Sequence, residues 1–255
     1  MPLPDTMRAW RVARLAEPAD ALSLDVVDVP LPGPGEVLIR VGAVAANFPD
    51  VLLARGQYQV RPELPFVPGI ECSGTVAAIG VGVEGLELGA RVVAAKIGVL
   101  AEYAVVPDTA VQRIPDALTD VAAAGLTIAY QTAWFALHRR AELQAGEWLL
   151  VHAAAGGVGA AAVQLGVAAG ARVIGVVGSA EKAEVARAAG AEHTVIRDVD
   201  DIAASVKAIT GGHGADVVFD PVGGAAFQAS TRCIAFEGRI VVIGFASGEI
   251  PTLTV

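Results

Sequence analysis

Short apolar runs alternate with helical patterns through the second half of the chain. The spacing predicts strands at 148–152, 172–177, 193–196, 216–220 and 239–244. Between these strands, patterns of small residues predict helices at 158–169, 180–189, 200–209 and 224–233. Strands that are apolar throughout are covered on both faces, so this alternation is typical of a doubly wound parallel α/β sheet. A complete doubly wound sheet of two halves has about six strands, and a sixth is expected where this sequence ends.

The first half has a different pattern, in which apolar and polar residues alternate between turns rich in Pro and Gly. It predicts strands at 7–15, 22–29, 36–46, 74–80, 91–95 and 102–106. This pattern indicates an antiparallel or barrel-like β domain. A short helix is predicted over 47–55, with Asn47 as its N-cap, and prolines at 62, 65 and 68 predict an extended loop.

The same pattern predicts where the first half begins and ends. The first six residues are predicted to be a loose extension before a strand that begins at Met7. At Thr119 the alternation stops and an Ala-rich helix is predicted over 119–138. We therefore expect two domains, 1–118 and 119–255, the first a β domain and the second the parallel sheet.

A glycine turn joins the first strand of the second domain to its helix. The turn, Ala154-Ala155-Gly156-Gly157-Val158-Gly159, is the dinucleotide-binding fingerprint with its first glycine replaced by alanine. Gly156 lets the backbone approach a pyrophosphate, Gly159 lets the helix pack close to the strand, and the helix N-terminus offers free N–H groups and a positive dipole. We expect a dinucleotide here, with Ala154, Gly156, Gly157, Val158 and Gly159 in contact. The alternative is an ordinary βα turn.

The end of the next strand indicates which dinucleotide. An NAD site has Asp or Glu about 20 residues after the glycines, where it binds the ribose 2′-hydroxyl. This chain has Gly178 and Ser179 there, with Lys182 one helical turn later. A hydroxyl and an ammonium attract a 2′-phosphate that a carboxylate would repel, so the sequence favours NADPH. The alternative is that Ser179 only caps the next helix and Lys182 lies on its solvated face.

Composition and charge narrow the class of protein. A net charge of -9 and the lack of a Lys/Arg cluster argue against a nucleic-acid partner. The two cysteines, Cys72 and Cys233, have no metal-ligand spacing and form no disulfide framework, which favours a reducing, cytoplasmic location. The N-terminus has no signal-like apolar core. Two apolar stretches, 121–137 and 148–178, are interrupted by polar residues or the glycine turn, so we expect no membrane span.

Several motifs together resemble one family. They are Ala46-Asn47-Phe48-Pro49-Asp50, Arg55-Gly56-Gln57-Tyr58, 65–74, 151–164, 219–224 and 242–248. In this order they resemble the zinc-free quinone oxidoreductase (zeta-crystallin-like) branch of the medium-chain dehydrogenase/reductase superfamily. The resemblance implies an N-terminal GroES-like β domain, a C-terminal Rossmann domain and an active site in the cleft between them. Members continue past this end into a sixth strand, which pairs subunits, and a return segment, so the resemblance implies a truncated chain and, at full length, a homodimer.

The resemblance also implies a site without metal. Zinc-dependent relatives hold their catalytic zinc with a Cys and a Gly-His-Glu element, where this chain has Asn47 and Gly69-Ile70-Glu71. Asn is a poor zinc ligand and Ile is none. The four histidines lie in the second half without mutual ligand spacing. We therefore expect no metal, and a small-molecule quinone as the acceptor of hydride from NADPH.

Three residues are the candidate catalytic groups under this resemblance: Asn47, Tyr58 and Thr127. The Asn47 amide is expected to donate an N–H to the substrate carbonyl oxygen. Tyr58 is expected to position the substrate or relay a proton, or alternatively to pack under the proline loop. Several members have a tyrosine where this chain has Leu52, which argues against enoyl-thioester reduction. Reduction of α,β-unsaturated aldehydes or ketones stays an alternative, as does an NADPH-binding structural or sensor protein with little turnover.

Further cofactor contacts follow from the resemblance and from the sheet. Thr127 matches a position at the nicotinamide end and Tyr130 matches another residue that lines the cofactor, with helix packing as the alternative for both. Val222, Gly244 and Phe245 follow strands at the carboxyl edge, where ligands of such sheets bind. Arg197 stands where relatives have a tyrosine beside the 2′-phosphate, and an arginine could bind that phosphate. Its alternative is a solvated charge at a strand end.

Overall fold

The computed structural model describes residues 3–253. Packing divides the chain into two compact units, one ending at Ile128 and the other beginning at Ala129. The first unit consists mainly of antiparallel strands and the second of a parallel sheet with helices. The predicted α/β class with an N-terminal β domain is confirmed.

The first unit contains a hairpin and a five-stranded antiparallel sheet. The hairpin pairs β1 (Thr6–Val12) with β2 (Leu22–Asp28), and the short helix α1 (Pro18–Ala21) lies between them in sequence. The sheet has the order β6-β3-β4-β5-β7. Its strands are β3 (Glu36–Val44), β4 (Glu71–Ile79), β5 (Arg91–Ala95), β6 (Tyr103–Pro107) and β7 (Val111–Arg113). Alternate apolar residues of these strands form the core of the unit, as the alternation of the sequence predicts.

Two helices of this unit and the start of a third helix position the polar residues discussed below. Helix α2 (Phe48–Ala54) begins after Asn47, whose backbone N–H donates to Asp50 Oδ2 at 2.8 Å. Helix α3 (Asp120–Ala124) ends at Gly125, and helix α4 (Thr127–Trp134) follows at once. The division between the two units falls within α4.

The predicted helix over 119–138 is therefore wrong in detail. It is two helices followed by a π-helix, Phe135–Arg140, in which the Ala141 N–H donates to the Ala136 carbonyl. Helix α1 and strand β7 were not predicted from the sequence, and β1 begins at Thr6, inside the expected loose extension. Of that extension, residues 1–2 lie outside the described part of the chain.

Helix α3 packs with the first unit. The Ser73 hydroxyl in β4 donates to the Asp120 carbonyl at 2.6 Å, and Arg91 in β5 pairs with the Asp120 carboxylate at 2.6 Å. These contacts place 119–128 with the β sheet in the structure. The expected boundary between 118 and 119 stays a prediction about where separable domains meet.

The second unit is the predicted doubly wound sheet. Five parallel strands have the order β10-β9-β8-β11-β12. In sequence order its elements are β8 (Trp148–Val151), α5 (Gly157–Ala168), β9 (Arg172–Val177), α6 (Ala180–Ala188), β10 (His193–Ile196), α7 (Ile202–Ile209), β11 (Ala215–Asp220), α8 (Gly224–Thr231) and β12 (Ile234–Val242). The chain leaves β8 toward β9 on one side and later returns beside it as β11. That reversal is where such sheets bind ligands, at the carboxyl ends of the strands.

Successive residues of the central strand face opposite layers. Leu149 packs in the cluster that includes helices α5 and α6, whereas Leu150 packs in the cluster that includes α7. Both side chains are fully buried. Because helices cover both faces of the sheet, the strands of this unit are uninterrupted apolar runs in the sequence.

Two glycines allow close packing in the second unit. One lies where helix α5 meets the turn, and the other lies where strand β9 meets the turn and a helix. A Cβ on Gly159 would lie 2.1 Å from the Ala153 carbonyl oxygen, so α5 could not start where it does with a larger residue. A Cβ on Gly175 in β9 would lie 3.0 Å from the Ala154 Cβ and 3.3 Å from the Ala186 Cβ. The methyl group of Ala154 in the turn thus fits because Gly175, in the neighbouring strand, has no methyl group there.

Every helix within residues 3–253 is too short or too polar to cross a bilayer. The two apolar stretches considered in the sequence belong to separate helices and strands of the units described above.

Candidate functional site

The glycine turn lies at the carboxyl end of the central strand β8. Gly156 is the N-cap residue of the 12-residue helix α5, and its carbonyl accepts the Ala160 N–H at 2.7 Å. The first turn of α5 contains no acidic side chain. Its N-terminal N–H groups and dipole therefore favour an anion at the turn.

A cavity of about 520 Å³ opens beside this turn in the second unit. Five of the residues predicted to bind the cofactor line it: Gly156, Gly178, Lys182, Arg197 and Val222. Residues that the sequence did not single out also line it, among them His152, Asp198, Gly223, Ala226 and Ser247. The cavity thus joins the glycine turn to the two cations after β9 and β10.

The two cations lie at the end where a ribose phosphate is expected. The Arg197 guanidinium reaches over Gly178, with Nη2 3.4 Å from the place a Cβ would take on that glycine. Arg197 Nε also donates to Asp198 Oδ1 at 3.2 Å. Lys182 is exposed in the first turn of α6. Both Gly178 and the Arg197 side chain line the cavity.

Ser179 is the N-cap residue of α6, and its hydroxyl accepts the Lys182 backbone N–H at 3.4 Å. The capping alternative for Ser179 therefore describes a real contact. The Ser179 hydroxyl also hydrogen-bonds to the Glu181 side chain and lowers the pKa of that carboxyl, so its proton is engaged there. Ser179 is outside the lining of the cavity, so its contact with a cofactor stays a prediction.

The other predicted cofactor residues lie around the cavity without lining it. They are Ala154, Gly157, Val158, Gly159, Gly244 and Phe245. Ala154 is fully buried in the core, and Val158 packs against the same core. Gly244 and Phe245 follow β12, and the Phe245 side chain is half-exposed. Their cofactor roles stay predictions.

Tyr130 lines a different groove of the second unit, of about 890 Å³, together with Trp134, Phe135 and residues of β12. Its hydroxyl donates to Gln164 Oε1 at 2.5 Å. The structure thus gives Tyr130 a side-chain partner on helix α5.

A buried polar pair lies under the cavity, and sequence reasoning missed it. His152, 1% exposed at the end of β8, has its Nε2 2.8 Å from the Ser230 hydroxyl of α8. Burial lowers the pKa of His152, so the ring is neutral at pH 7. Ser230 donates its own proton to the Ala226 carbonyl at 2.9 Å, so it accepts from His152 Nε2–H. The pair fixes the imidazole that lines the cavity.

The loop after β11 is held by Asp220. Its Oδ1 accepts the backbone N–H groups of Val222 and Gly223 at 2.8 and 3.0 Å. Asp220 is fully buried. These two bonds fix the loop in which Val222 was predicted to contact the cofactor.

In the first unit the candidate catalytic residue Asn47 belongs to a hydrogen-bonded cluster. Its Nδ2 donates to Glu71 Oε1 at 2.8 Å and to the Ala45 carbonyl at 3.1 Å. The second oxygen of Glu71 accepts the Ile128 N–H at 2.7 Å. Both amide protons of Asn47 are therefore engaged, so a ligand carbonyl can receive one only by replacing an existing partner.

Thr127 and Tyr58 differ in environment. Thr127 is 6% exposed, and its hydroxyl has no partner among the described residues. A buried hydroxyl without a hydrogen-bond partner destabilises the folded protein. A ligand that accepts a hydrogen bond from it would remove that penalty. Tyr58 is partly buried and packs against the cluster of Val12, Leu53 and their neighbours, and its catalytic role stays a prediction.

Asp50 adds a titratable carboxyl beside Asn47. Burial raises its pKa, while backbone N–H groups of Asn47 and Gly69 oppose the shift. A small cavity of about 200 Å³ is lined by these residues and mostly apolar side chains. Its apolar lining suits a planar, uncharged molecule rather than an anion.

The described residues contain no cluster of three or more His, Cys, Asp or Glu side chains that could hold a metal ion. Of the positions where zinc-dependent relatives place ligands, Asn47 donates to Glu71 and Ile70 is buried in the core. Burial, with a smaller contribution from Glu71, raises the pKa of the nearby Cys72 thiol to about 12. A thiol that stays protonated is a weak ligand.

Comparisons with known proteins agree with this architecture. Residues 33–116 match the family model of the alcohol dehydrogenase GroES-like domain, and residues 157–255 match that of the zinc-binding dehydrogenase family. The chain is 43% identical over 224 residues to the quinone oxidoreductase-like protein 2 homolog of Nematostella vectensis, covering 87% of this chain and 61% of that protein. It is 38% identical over 248 residues to mouse quinone oxidoreductase-like protein 2, covering 96% and 71%.

Among solved structures, the Escherichia coli quinone oxidoreductase complexed with NADPH matches with a TM-score of 0.90 and 31% identity, over 97% of this chain and 76% of that one. The likeness thus extends through both units. The chain belongs to the quinone oxidoreductase branch of the medium-chain dehydrogenase/reductase superfamily, a family of oxidoreductases.

Proposed function

We propose that this chain is an NADPH-dependent oxidoreductase that transfers a hydride to a quinone without zinc. The observation that supports it most directly is the lining of the cavity in the second unit. That lining combines the Gly156 turn with Lys182 and Arg197, while Gly178 stands where an NAD site has its carboxylate.

The proposed preference for NADPH over NADH rests on contacts with the phosphates of the cofactor. The pyrophosphate meets the N–H groups at the start of α5. The 2′-phosphate meets Lys182 and Arg197, and each charge-assisted hydrogen bond contributes about 1.5–3 kcal/mol. Because these groups are exposed, we expect the lower end of that range, which still favours NADPH over NADH by about tenfold for each contact.

We infer that the reaction proceeds without a metal because the donors at the expected zinc position do not suit one. An asparagine amide and an isoleucine replace the usual ligands there. A quinone does not require a Lewis acid, because its conjugated system takes up the negative charge. Quinone reduction thus agrees with the residues present.

When bound, NADPH supplies the hydride. The residues of this chain orient the acceptor and stabilise the developing oxyanion. We propose that the substrate oxygen replaces the Ala45 carbonyl as the acceptor of one Asn47 amide proton, since that bond, at 3.1 Å, is the longer of the two that the amide makes. The unpaired Thr127 hydroxyl is a second donor in this proposal, and Tyr58 contributes apolar surface beneath the proline loop.

Turnover on two acceptor panels tests the proposal. NADPH oxidation is measured with a series of quinones beside a series of α,β-unsaturated aldehydes and ketones. We expect quinones to support turnover. Activity on enones alone would overturn the quinone assignment, and tight NADPH binding without turnover on either panel would instead support a binding or sensor protein.

Asn47→Ala probes the catalytic step of this proposal. Removing an oxyanion donor costs about 100-fold in kcat, while the NADPH dissociation constant is expected to stay within about twofold, because the cavity that supports the cofactor proposal lies in the second unit. The two constants are measured by steady-state kinetics and by NADPH fluorescence. A rate equal to that of the wild type would remove Asn47 from the catalytic groups.

A further inference from the structure

Glu71 is a buried carboxylate that joins two segments of the first unit, at Asn47 and at Ile128. It is the first residue of β4 and only 1% exposed. Its Oε1 accepts from the Asn47 side chain before helix α2, and its Oε2 accepts the Ile128 N–H in the first turn of helix α4. Sequence reasoning considered this glutamate only as a remnant of the zinc motif.

Both oxygens act as acceptors, which is the role of a carboxylate and not of an amide. The Ile128 N–H is among the first N–H groups of α4, which have no intrahelical partner. A negative group is favourable at that end of a helix. Glu71 therefore fixes the start of α4, and with it Thr127, one residue before Ile128.

The same carboxylate fixes the direction of the Asn47 amide. A primary amide is planar and its two N–H bonds diverge by about 120°. With one proton held by Glu71 at 2.8 Å, the plane and the direction of the second proton are set. A rotation that exchanged the amide nitrogen and oxygen would bring two acceptors together, so it is disfavoured.

We propose that Glu71 is a positioning residue of the reaction, which holds Asn47 and the Thr127 end of α4 so that both face the substrate oxygen as donors. The inference rests on the proposed function, in which these two residues contact the substrate. Glu71 itself touches neither the substrate nor the cofactor in this account.

Glu71→Gln removes the double acceptor with almost no change in shape. The glutamine can accept from one partner, but it presents an N–H₂ group to the other. We expect kcat for quinone to fall by about 10- to 100-fold, with the KM for quinone and the NADPH dissociation constant nearly unchanged. Glu36→Gln is the matched control, because Glu36 also accepts a backbone N–H, from Gly33 at 3.0 Å, on another strand.

A double-mutant cycle separates positioning from a general structural effect. In an Asn47→Ala background, Glu71→Gln is expected to lower kcat by a smaller factor than in the wild type, since one of the two residues it acts through is gone. Equal factors in the two backgrounds would overturn the proposal. A proportional loss of NADPH affinity would overturn it too.

A spectroscopic test does not depend on turnover. Asn47 is the single asparagine of the sequence, so ¹⁵N-asparagine labelling gives one side-chain amide pair. In the wild type we expect both protons of the pair to exchange with solvent more slowly than those of a free amide. Glu71→Gln should shift the pair, and Glu36→Gln should leave it in place.

The outcomes distinguish the two proposals. A protected amide pair that moves only with Glu71→Gln, in a protein that turns over neither panel, would support the contacts but refute their catalytic role and the proposed function together. Turnover with an unprotected amide pair in the wild type would refute the role of Glu71 alone. The wild-type spectrum gives this answer even if Glu71→Gln fails to fold.

Discussion

At the scale of single residues, the two cations that line the cavity of the second unit differ in whether they already have a hydrogen-bond partner. Arg197 already has Asp198 as a partner, whereas Lys182 is exposed in the first turn of α6 beside the same cavity. We expect Lys182→Ala to raise the dissociation constant for NADPH by about tenfold, because one charge-assisted bond to the 2′-phosphate is lost. The constant for NADH, which lacks that phosphate, should hardly change.

Fluorescence titrations with both nucleotides measure these constants. Lys207→Ala is the control, because it removes the same charge from the exposed face of α7, away from the cavity. Equal weakening of NADPH and NADH by Lys182→Ala would place Lys182 outside the phosphate site. Equal weakening of NADPH by the two variants would point to net charge as the cause.

Placement was predictable where it depends on the end of a strand. Gly156, Lys182 and Arg197 follow strand ends that the hydrophobic pattern locates, and they line one cavity, while their roles toward a cofactor stay predictions. Glu71 and His152 were missed because their partners lie 24 and 78 positions away. No local pattern signals such a contact, which depends on how strands and helices are brought together by the fold.

At the scale of elements, the stability of helix α5 is expected to depend on Gly159, where an added Cβ would meet the backbone of the turn. We expect Gly159→Ala to destabilise the protein by about 1–3 kcal/mol, because the added methyl would overlap the Ala153 carbonyl. Gly157→Ala is the matched change: its Cβ would meet nothing within 4 Å, and alanine is favoured over glycine in a helix by up to about 1 kcal/mol.

Thermal unfolding of the two variants compares them directly. A protein of this size loses about 2–4 °C in Tm for each kcal/mol, so Gly159→Ala should melt well below Gly157→Ala. If the two melt together, the close approach of α5 to the turn does not limit its stability.

Elements of the second unit were predictable because their strands are covered on both faces. Each apolar run became a strand, although β12 begins at Ile234, five residues before its expected start at 239. The region 119–138 was less predictable. Its alanines favour helix throughout, but Gly125 ends α3, and the change to a π-helix at Phe135 depends on hydrogen bonds that composition does not specify.

At the scale of the whole molecule, one partly buried ion pair of the second unit should contribute to stability in acid. Arg239 in β12 donates two hydrogen bonds to Glu147, each 2.8 Å long, and a third to the Ala141 carbonyl. The hydrogen bonds from Arg239 are the main reason the pKa of Glu147 lies below its ordinary value of 4.5. The unfolded state therefore binds a proton more readily than the folded state.

The sign of the pH dependence follows from this depressed pKa. The stabilisation is complete above about pH 4.5 and is lost as the pH falls through the lower value of the folded protein. Because the pair is partly exposed, we expect it to contribute about 1 kcal/mol at neutral pH. Glu147→Gln should lower Tm at pH 7 and flatten the decline of Tm below pH 4.5.

Thermal unfolding between pH 3 and 7 measures this effect, with the exposed Glu84→Gln as a control for the loss of one negative charge. A Glu147→Gln protein whose melting temperature declines as steeply as that of the wild type would show that other carboxylates govern its acid stability.

The alanine that replaces the first glycine of the dinucleotide fingerprint has a counterpart across the sheet. Gly175 lacks a methyl group where Ala154 has one, with 3.0 Å between the Ala154 Cβ and the place of the missing atom. Substitutions at the two positions should therefore compensate each other: Gly175→Ala alone is expected to cost about 1–3 kcal/mol, and adding Ala154→Gly should restore much of it. A family member with glycine at the first position is then expected to tolerate alanine at the second, so the pair would covary in sequence although the motif is written as a single run.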